Sequence, residues 1–586
     1  MSSVQRFFGR YLKRYVGWYV AGTAALAATN AISVEIPLVL ARSIDALGTP
    51  AADRIPQDAA LVAVLGVVVI AVRTASRLLF FTPGRLVEAE LKRDLFDRLI
   101  HQQPAFLRQW PTGDLISRST SDVNMARLLA GFTVLGVVNM VVAFAVTGVQ
   151  MVRISPLLAG ATLVPLLVGF LITQRAVRSL HKWMVLIQQQ AADLSDHILS
   201  SYQGIATIRA FDARPAFQKR FEDLSDAWLD TSIKRTNLRV AIGPTLSLAA
   251  STNVFLLLFL GGPMAIRGEI TVGELVAFTT LVAFLTGPLR GMSFIISLWK
   301  QSEASLDRLE AVMDPKPVRP ELDRPGGPLP APTRPPEITL RNLHFAWPGS
   351  ESTLSGIDLV IPAGTTLGVF GATGAGKSTL LSLIARLDNP PPGTVLVDGV
   401  DLVDLDLDGW RRITSLVSQR PFLFSESVRD NILLGERDDG RLAAIVADCA
   451  LAQDVASFPQ GLDTVVGEAG VTLSGGQRQR VALARGLVRP HLVRLLDDVL
   501  SAVDAATESR LIETLQRFTG DVHPTTLLVS HRISALRHAE QIAVIEGGRL
   551  LCVGTHDELV HRPGPYRETW LHQSEQPEEE HQEASK

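Results

Sequence analysis

Gly371, Ala372, Thr373, Gly374, Ala375, Gly376, Lys377 and Ser378 stand in a row between two apolar runs, Thr365 to Phe370 and Thr379 to Leu387. Glycines at this spacing let backbone N–H groups wrap a chain of phosphates, and a helix beginning there adds the favourable potential of its N-terminus. The Lys377 amine is long enough to reach outer phosphates, and the Ser378 hydroxyl is a magnesium ligand. The chemistry is binding of a nucleotide with magnesium, provided a strand precedes the loop and a helix follows it. Both runs have the composition for that.

A second constellation begins at Leu473-Ser474-Gly475-Gly476-Gln477 and runs on to Arg485. Ser474 with Gln477 three residues later is a capping box, so a well-capped helix accounts for the segment. The paired glycines also bare N–H donors for an anion, which this chain's own P-loop does not need and a second molecule's nucleotide would. Further on, the run Val493 to Leu496, interrupted by Arg494, ends in Asp497 and Asp498, with Ser501, Ala502, Val503 and Asp504 after it. Another run, Thr525 to Ser530, ends in His531. Carboxylates and an imidazole at strand ends are where α/β folds place ligand chemistry, although a single histidine is more often structural.

These groups need an α/β layer to hold them, and the text supplies one only after residue 336. Residues 315–336 contain Pro315, Pro317, Pro320, Pro325, Pro330, Pro332, Pro335 and Pro336, a density that neither helix nor central strand accommodates. The expected division is a helical transmembrane domain over 1–314, a linker over 315–336, an α/β P-loop domain over 337–573, and a tail over 574–586. The tail carries Glu578, Glu579 and Glu580 and reads as a solvated, disordered end. Mean hydropathy of +0.22 beside 20% charged residues requires that apolar and charged text be segregated along the chain. A net charge of -3 leaves no basic field to attract nucleic acid. Two cysteines, Cys449 and Cys552, are too few for a disulfide framework and are expected as free thiols.

Uncharged stretches run from Leu128 to Val152, Ile154 to Gln174 and Val240 to Ile266, each matching the ~20 residues that cross a bilayer as helix. Three more candidates, near 16–41, 59–82 and 275–299, carry Glu35, Arg73 with Arg77, and Arg290, which makes six spans. Basic residues precede the first span (Arg6, Arg10, Lys13, Arg14) and crowd the second and fourth connections. They place the N-terminus and both long connections in the cytosol, and no cleaved signal peptide is expected. Within those connections, 112–115 and 204–211 are glycine-containing interruptions suited to short cross-helices. Glu35 and Arg42 share a helical face, and with Arg73, Arg77 and Arg290 they are candidates to line a substrate pathway. Structural pairing is an equal account of them.

With the P-loop, Gln419 after the run Thr414 to Ser418, LSGGQ, the acidic pair, SAVD and His531 in this order, the chain resembles an ATP-binding-cassette exporter half-transporter of the multidrug-resistance type, over essentially residues 10–573. GDLISR at 113–118 and GIATIRAF at 204–211 sit where such exporters have coupling helices. The resemblance implies two nucleotide domains paired head to tail, each ATP lying between one chain's P-loop and the other's LSGGQ, which supplies the role of Ser474, Gly475, Gly476 and Gln477. It also implies adenine stacking on Trp347, where the family usually has tyrosine. Gln419 would link magnesium to the membrane domain, Asp497 would support magnesium and His531 would act as a switch. Thr379 and Asp504 belong to the same nucleotide-binding set.

Asp498 departs from the pattern, since the family's general base there is glutamate. One methylene less leaves the carboxylate about 1 Å short of the attacking water, a misplacement that costs ~100-fold. A slow site on this P-loop and an intact LSGGQ resemble the degenerate-site subunits of heterodimeric exporters. The alternatives are a homodimer with two aspartate sites and a non-hydrolytic subunit that gates a channel by binding ATP. The implied setting is the cell (inner) membrane, multi-pass, with the nucleotide domain cytoplasmic. The implied partners are a second half-transporter, the bilayer, and a drug-like small molecule, lipid or peptide that the fold alone cannot name.

Overall fold

The computed structural model describes residues 2–313 apart from 48 and 103, residues 327–517 apart from 348, 350–352, 468–471 and 502, and residues 523–583. The linker up to residue 326 and Ala502 of SAVD therefore lie outside the described residues. The chain forms two compact units, Met1–His101 with Trp110–Lys316, and Gln102–Gln109 with Pro317–Lys586.

In the first unit the long helices are α1 (Val16–Asp45), α2 (Ile55–Ile100), α3 (Val134–Ile154), α4 (Pro156–Gln203), α5 (Arg214–Leu256) and α6 (Val272–Met313). Among the described residues, four helical stretches are long and apolar enough to cross a membrane, Ser3–Asp45, Pro50–Ile100, Thr112–Ile154 and Val272–Met313, and α4 and α5 carry the apolar stretches Pro156–Ile172 and Ser251–Ile266.

Pro37, Pro83, Pro165, Pro244 and Pro288 lie inside five of these helices, a use of proline that membrane helices tolerate. At 46 residues α2 is about 69 Å long, twice the ~30 Å hydrocarbon thickness, so it continues well past the bilayer as the apolar periodicity of its second half requires. Between α3 and α4 the turn is the single residue Ser155, whose hydroxyl caps α4 by accepting from the Leu158 N–H. One buried cluster joins Val87, Leu91, Val123, Leu309 and Val312, and another joins Met151, Leu158, Phe278 and Leu281.

Short helices occupy Thr112–Ser117 and Ile205–Ala210, where interruptions were expected. The piece of the second connection that groups with the nucleotide unit is Gln102–Gln109, containing the one-turn helix Pro104–Leu107. Thr112–Ser117 stays with the helical unit, where Arg118 bonds Asp114 at 3.0 Å and lies 4.2 Å from the Trp110 ring centroid.

The second unit is α/β. A sheet in the order β10-β9-β3-β8-β7-β6 uses β3 (Thr366–Phe370), β6 (Thr414–Val417), β7 (Val493–Asp497), β8 (Thr525–Val529), β9 (Gln541–Glu546) and β10 (Arg549–Gly554). Its pairs are parallel except β9 with β10. Every residue of β7 and β8 is buried, Arg494 included, as central strands of a covered parallel sheet must be. An antiparallel sheet of β1 (Ile338–Phe345), β2 (Leu354–Ile361), β4 (Val395–Val397) and β5 (Val400–Asp401) packs its apolar face against the same core. The helices bearing the site are α7 (Lys377–Ile384), α8 (Gly475–Leu487) and α9 (Ala505–Arg517). The acidic stretch read as a disordered tail continues the last helix, α10 (Pro565–Glu583).

Candidate functional site

β3 delivers the P-loop from the middle of its sheet, with β8 on one side and β9 on the other. A Cβ on Gly371 would lie 2.2 Å from the Ile545 carbonyl oxygen, so only glycine lets the loop leave the strand there. Gly376 caps α7 at φ +94°, and a Cβ there would lie 2.6 Å from Leu354. Between them Thr373, Gly374 and Ser378 face solvent, whereas Ala375 and Thr379 are buried beneath the loop. The Lys377 amine donates to the carbonyls of Gly371 at 2.7 Å and Ala372 at 2.8 Å, spanning the loop it belongs to. Burial pushes this ammonium down, and the charges of Asp497 and Asp498 oppose that shift.

β7 carries Asp497 and Asp498 into the same place, and both are nearly buried, at 8% and 5% exposure. Burial pushes the Asp497 carboxyl up, countered first by its hydrogen bond with Ser378. A buried carboxylate beside a serine hydroxyl is a donor set suited to Mg2+, since a cation there removes the cost of the buried charge. Asp498 sits at φ +50°, a left-handed conformation that turns its side chain out of the strand. Its Oδ2 accepts from Gln419 Nε2 at 3.1 Å, and its Oδ1 lies 3.1 Å from His531 Nδ1, an ion pair once the imidazole is protonated. Residues 79 and 33 positions apart in the chain thus meet on one carboxylate. β6 and β8, flanking β7, present Gln419 and His531 from the same edge of the sheet.

The structure adds two residues that the sequence did not single out. Gln479 Nε2 donates to Ser501 Oγ at 2.9 Å and to the Gln419 carbonyl at 3.3 Å, tying α8 to the residues around Asp498. A glutamine inside a helix carries no local mark of such a role; only its 6% exposure reveals it. Arg108, read from the sequence only as one basic residue among many, bonds Asp388 at 2.7 Å and lies 4.5 Å from the Trp347 ring centroid. Trp347 is half-buried, edge-on to Phe345 at 5.1 Å, and donates Nε1–H to Thr379 Oγ1 at 3.2 Å.

Ser474 and Gln477 form the reciprocal capping box, with Gln477 also donating to Asp454 at 2.8 Å. Ser474 and Gly475 are exposed, and among the described residues no hydrogen bond or ion pair joins Ser474–Gln477 to the P-loop of the same chain. Asp504 is likewise apart from the P-loop. Its carboxylate caps α9 by accepting from the Thr507 N–H at 3.1 Å, which holds its pKa below the usual carboxylate range.

In the helical unit Glu35 and Arg42 pair with each other at 3.1 Å, which favours the structural account of both. Arg73 and Arg77 line a cavity of about 520 Å3. The side chain of Arg290 lies outside the described residues.

Comparison with known proteins agrees with this architecture. Residues 19–289 match the ABC transporter transmembrane region, and residues 354–501 match the ABC transporter family. The probable multidrug resistance ABC transporter ATP-binding/permease protein YheI of Bacillus subtilis is 31% identical, over 98% of either chain. The chain belongs to the ABC transporters. Like its relatives, this transporter joins a transmembrane helical domain to an ATP-binding ATPase domain in one polypeptide. The mycobactin import ATP-binding/permease protein IrtB of Mycolicibacterium smegmatis is 39% identical over 333 residues, covering 56% of each chain. The solved structure of a bacterial Atm1-family ABC exporter with ATP bound shares the fold, with TM-score 0.79 at 24% identity over 96% of this transporter and 99% of that chain.

Proposed function

We propose that this transporter is one half of an ATP-driven exporter of amphipathic compounds, drug-like, lipid or peptide, in the cell (inner) membrane. Its N-terminus and nucleotide domain lie in the cytosol. The name of the Bacillus subtilis relative supports efflux of drugs, and the charge asymmetry of the connections supports the orientation. Bound Mg2+-ATP supplies the phosphoanhydride whose cleavage powers the cycle. In this reading Lys377 and the N–H groups of Gly374 to Thr379 hold the phosphates, Ser378 and Asp497 hold the metal, and Trp347 offers its ring to adenine. Gln419 reports occupancy to the helical unit, and Asp498, positioned by Gln419 and His531, accepts the proton of the attacking water.

The observation that carries the finer proposal is Asp498. Its carboxylate is one methylene short of the family's glutamate and is engaged by Gln419 and His531 of its own chain. The exposed Ser474 and Gly475 and the half-buried Gly476, with no hydrogen bond to their own P-loop among the described residues, are intact for the nucleotide of a second chain. The favoured assembly is therefore a heterodimer in which this chain contributes the slow site and completes a fast one. Native mass spectrometry of the transporter taken from its own membrane tests this: a 1:1 complex with a different half-transporter is expected, and a homodimer overturns it. Because one relative is named for import, direction is tested separately. ATP-dependent accumulation of a fluorescent drug inside inside-out vesicles is the expected result, and ATP-dependent loss from them overturns export.

A further inference from the structure

The cavity among α1, α2, α3 and α6 has an electrostatic imbalance. Arg73 and Arg77 are four residues apart on α2, so both guanidinium groups share one face of the helix and line the cavity together. No carboxylate lines it among the described residues, and no ion pair is formed by either arginine there. The acid of α1, Glu35, is committed to Arg42. The remaining wall is neutral: Asn30 and Asn139, hydrogen-bonded to each other at 3.3 Å, and the rings of Phe132 and Phe284.

A guanidinium among membrane helices is costly, and such groups persist where they meet a counter-charge or a substrate. Arginine's planar fork matches carboxylate, sulfonate and phosphate oxygens, and the rings of Phe132 and Phe284 lining the same cavity match a hydrocarbon body. From Ile55 at the start of α2, Arg73 lies about 27 Å along the helix and Arg77 about 33 Å, at the end that extends toward the long connections.

We propose that this cavity binds an amphipathic anion, with its charged oxygens on Arg73 and Arg77 and its apolar body against Phe132 and Phe284. The inference rests on the exporter reading for its biological use, but the site itself is testable without it. The assembled transporter, purified with its native partner into phosphatidylcholine nanodiscs, is titrated without ATP with pyrenesulfonate and with pyrenemethylammonium, which share one ring system and carry opposite charge. The sulfonate is expected to bind more tightly. Arg73→Gln with Arg77→Gln should raise its Kd about tenfold or more, the loss of a charge-assisted hydrogen bond, without weakening the ammonium probe. Arg73→Lys with Arg77→Lys should give a Kd between those of the wild type and the glutamine pair, because charge is preserved while the planar fork is lost.

Equal sulfonate Kd in the wild type and the glutamine pair, or preference for the ammonium, overturns the anion site. Competition by phosphatidylglycerol identifies a lipid headgroup as the source of the anion, and its failure identifies a free organic anion; either supports the site. Sulfonate binding that depends on both arginines, without ATP-driven sulfonate transport in vesicles, retains the site and overturns the exporter reading instead.

Discussion

Asp498 concentrates the chemistry of the nucleotide unit on one side chain. Restoring the missing methylene with Asp498→Glu is expected to raise single-turnover ATP hydrolysis at this chain's P-loop by about 10- to 100-fold, because the carboxylate then reaches the water it must deprotonate. Quench-flow measurement on the assembled transporter checks this, and an unchanged rate removes the side-chain-length argument. A second residue-scale effect lies at His491, whose pKa burial pushes down from 6.5 to about 4. The unfolded chain therefore takes up this proton before the folded one does. The contribution is intact above pH 6.5 and is lost progressively as pH falls from 6.5 toward 4. Hydrogen exchange of β7 and α8 in the full-length chain should show that acid loss, and His491→Gln should flatten it over the same window.

At the scale of elements, α8 serves two purposes through one residue. Ser474 caps the helix on its own chain, and its exposed face is free for a partner's nucleotide. Ser474→Ala should cost about 1 kcal/mol locally, whereas Ser474→Asp keeps an N-cap acceptor. Both are expected to lower transporter ATPase, the aspartate by repelling phosphate, but only the alanine should speed exchange at the start of α8. If Ser474→Asp leaves ATPase intact, the helix end is only a cap. α1 makes the opposite case. Because Glu35 is satisfied by Arg42 on the same helix, Glu35→Gln is expected to leave the export of cationic substrates within about twofold. A selective loss of cation export would restore Glu35 to the pathway.

For the whole molecule, no hydrogen bond or ion pair among the described residues joins the P-loop to LSGGQ within one chain, as the proposed head-to-tail pairing of two chains requires. The short helix Ile205–Ala210 is flanked by Tyr202 and Phe211, 74% and 81% exposed, and these rings suit a partner's surface. Phe211→Ala is expected to preserve ATP binding while cutting transport per ATP hydrolysed at least about threefold, read from paired transport and phosphate-release assays. Equal coupling would assign Phe211 no part in the assembly.

What was legible beforehand was local. The strand–loop–helix around Lys377, the capping box at Ser474 and the strands ending at Asp498 and His531 are each set by residue type and short-range spacing, as are the six long helices. What only the folded chain decided was pairing between distant segments. Gln419 and His531 meet on Asp498 because β6, β7 and β8 lie side by side, Gln479 reaches Ser501 from inside α8, and Arg108, in the segment that groups with the nucleotide unit, lies over the Trp347 ring. The same holds for charge: Glu35 and Arg42 neutralise each other while Arg73 and Arg77 stay uncompensated in a shared cavity. Spacing along one helix fixes which residues share a face, but which faces meet depends on packing among helices far apart in the chain.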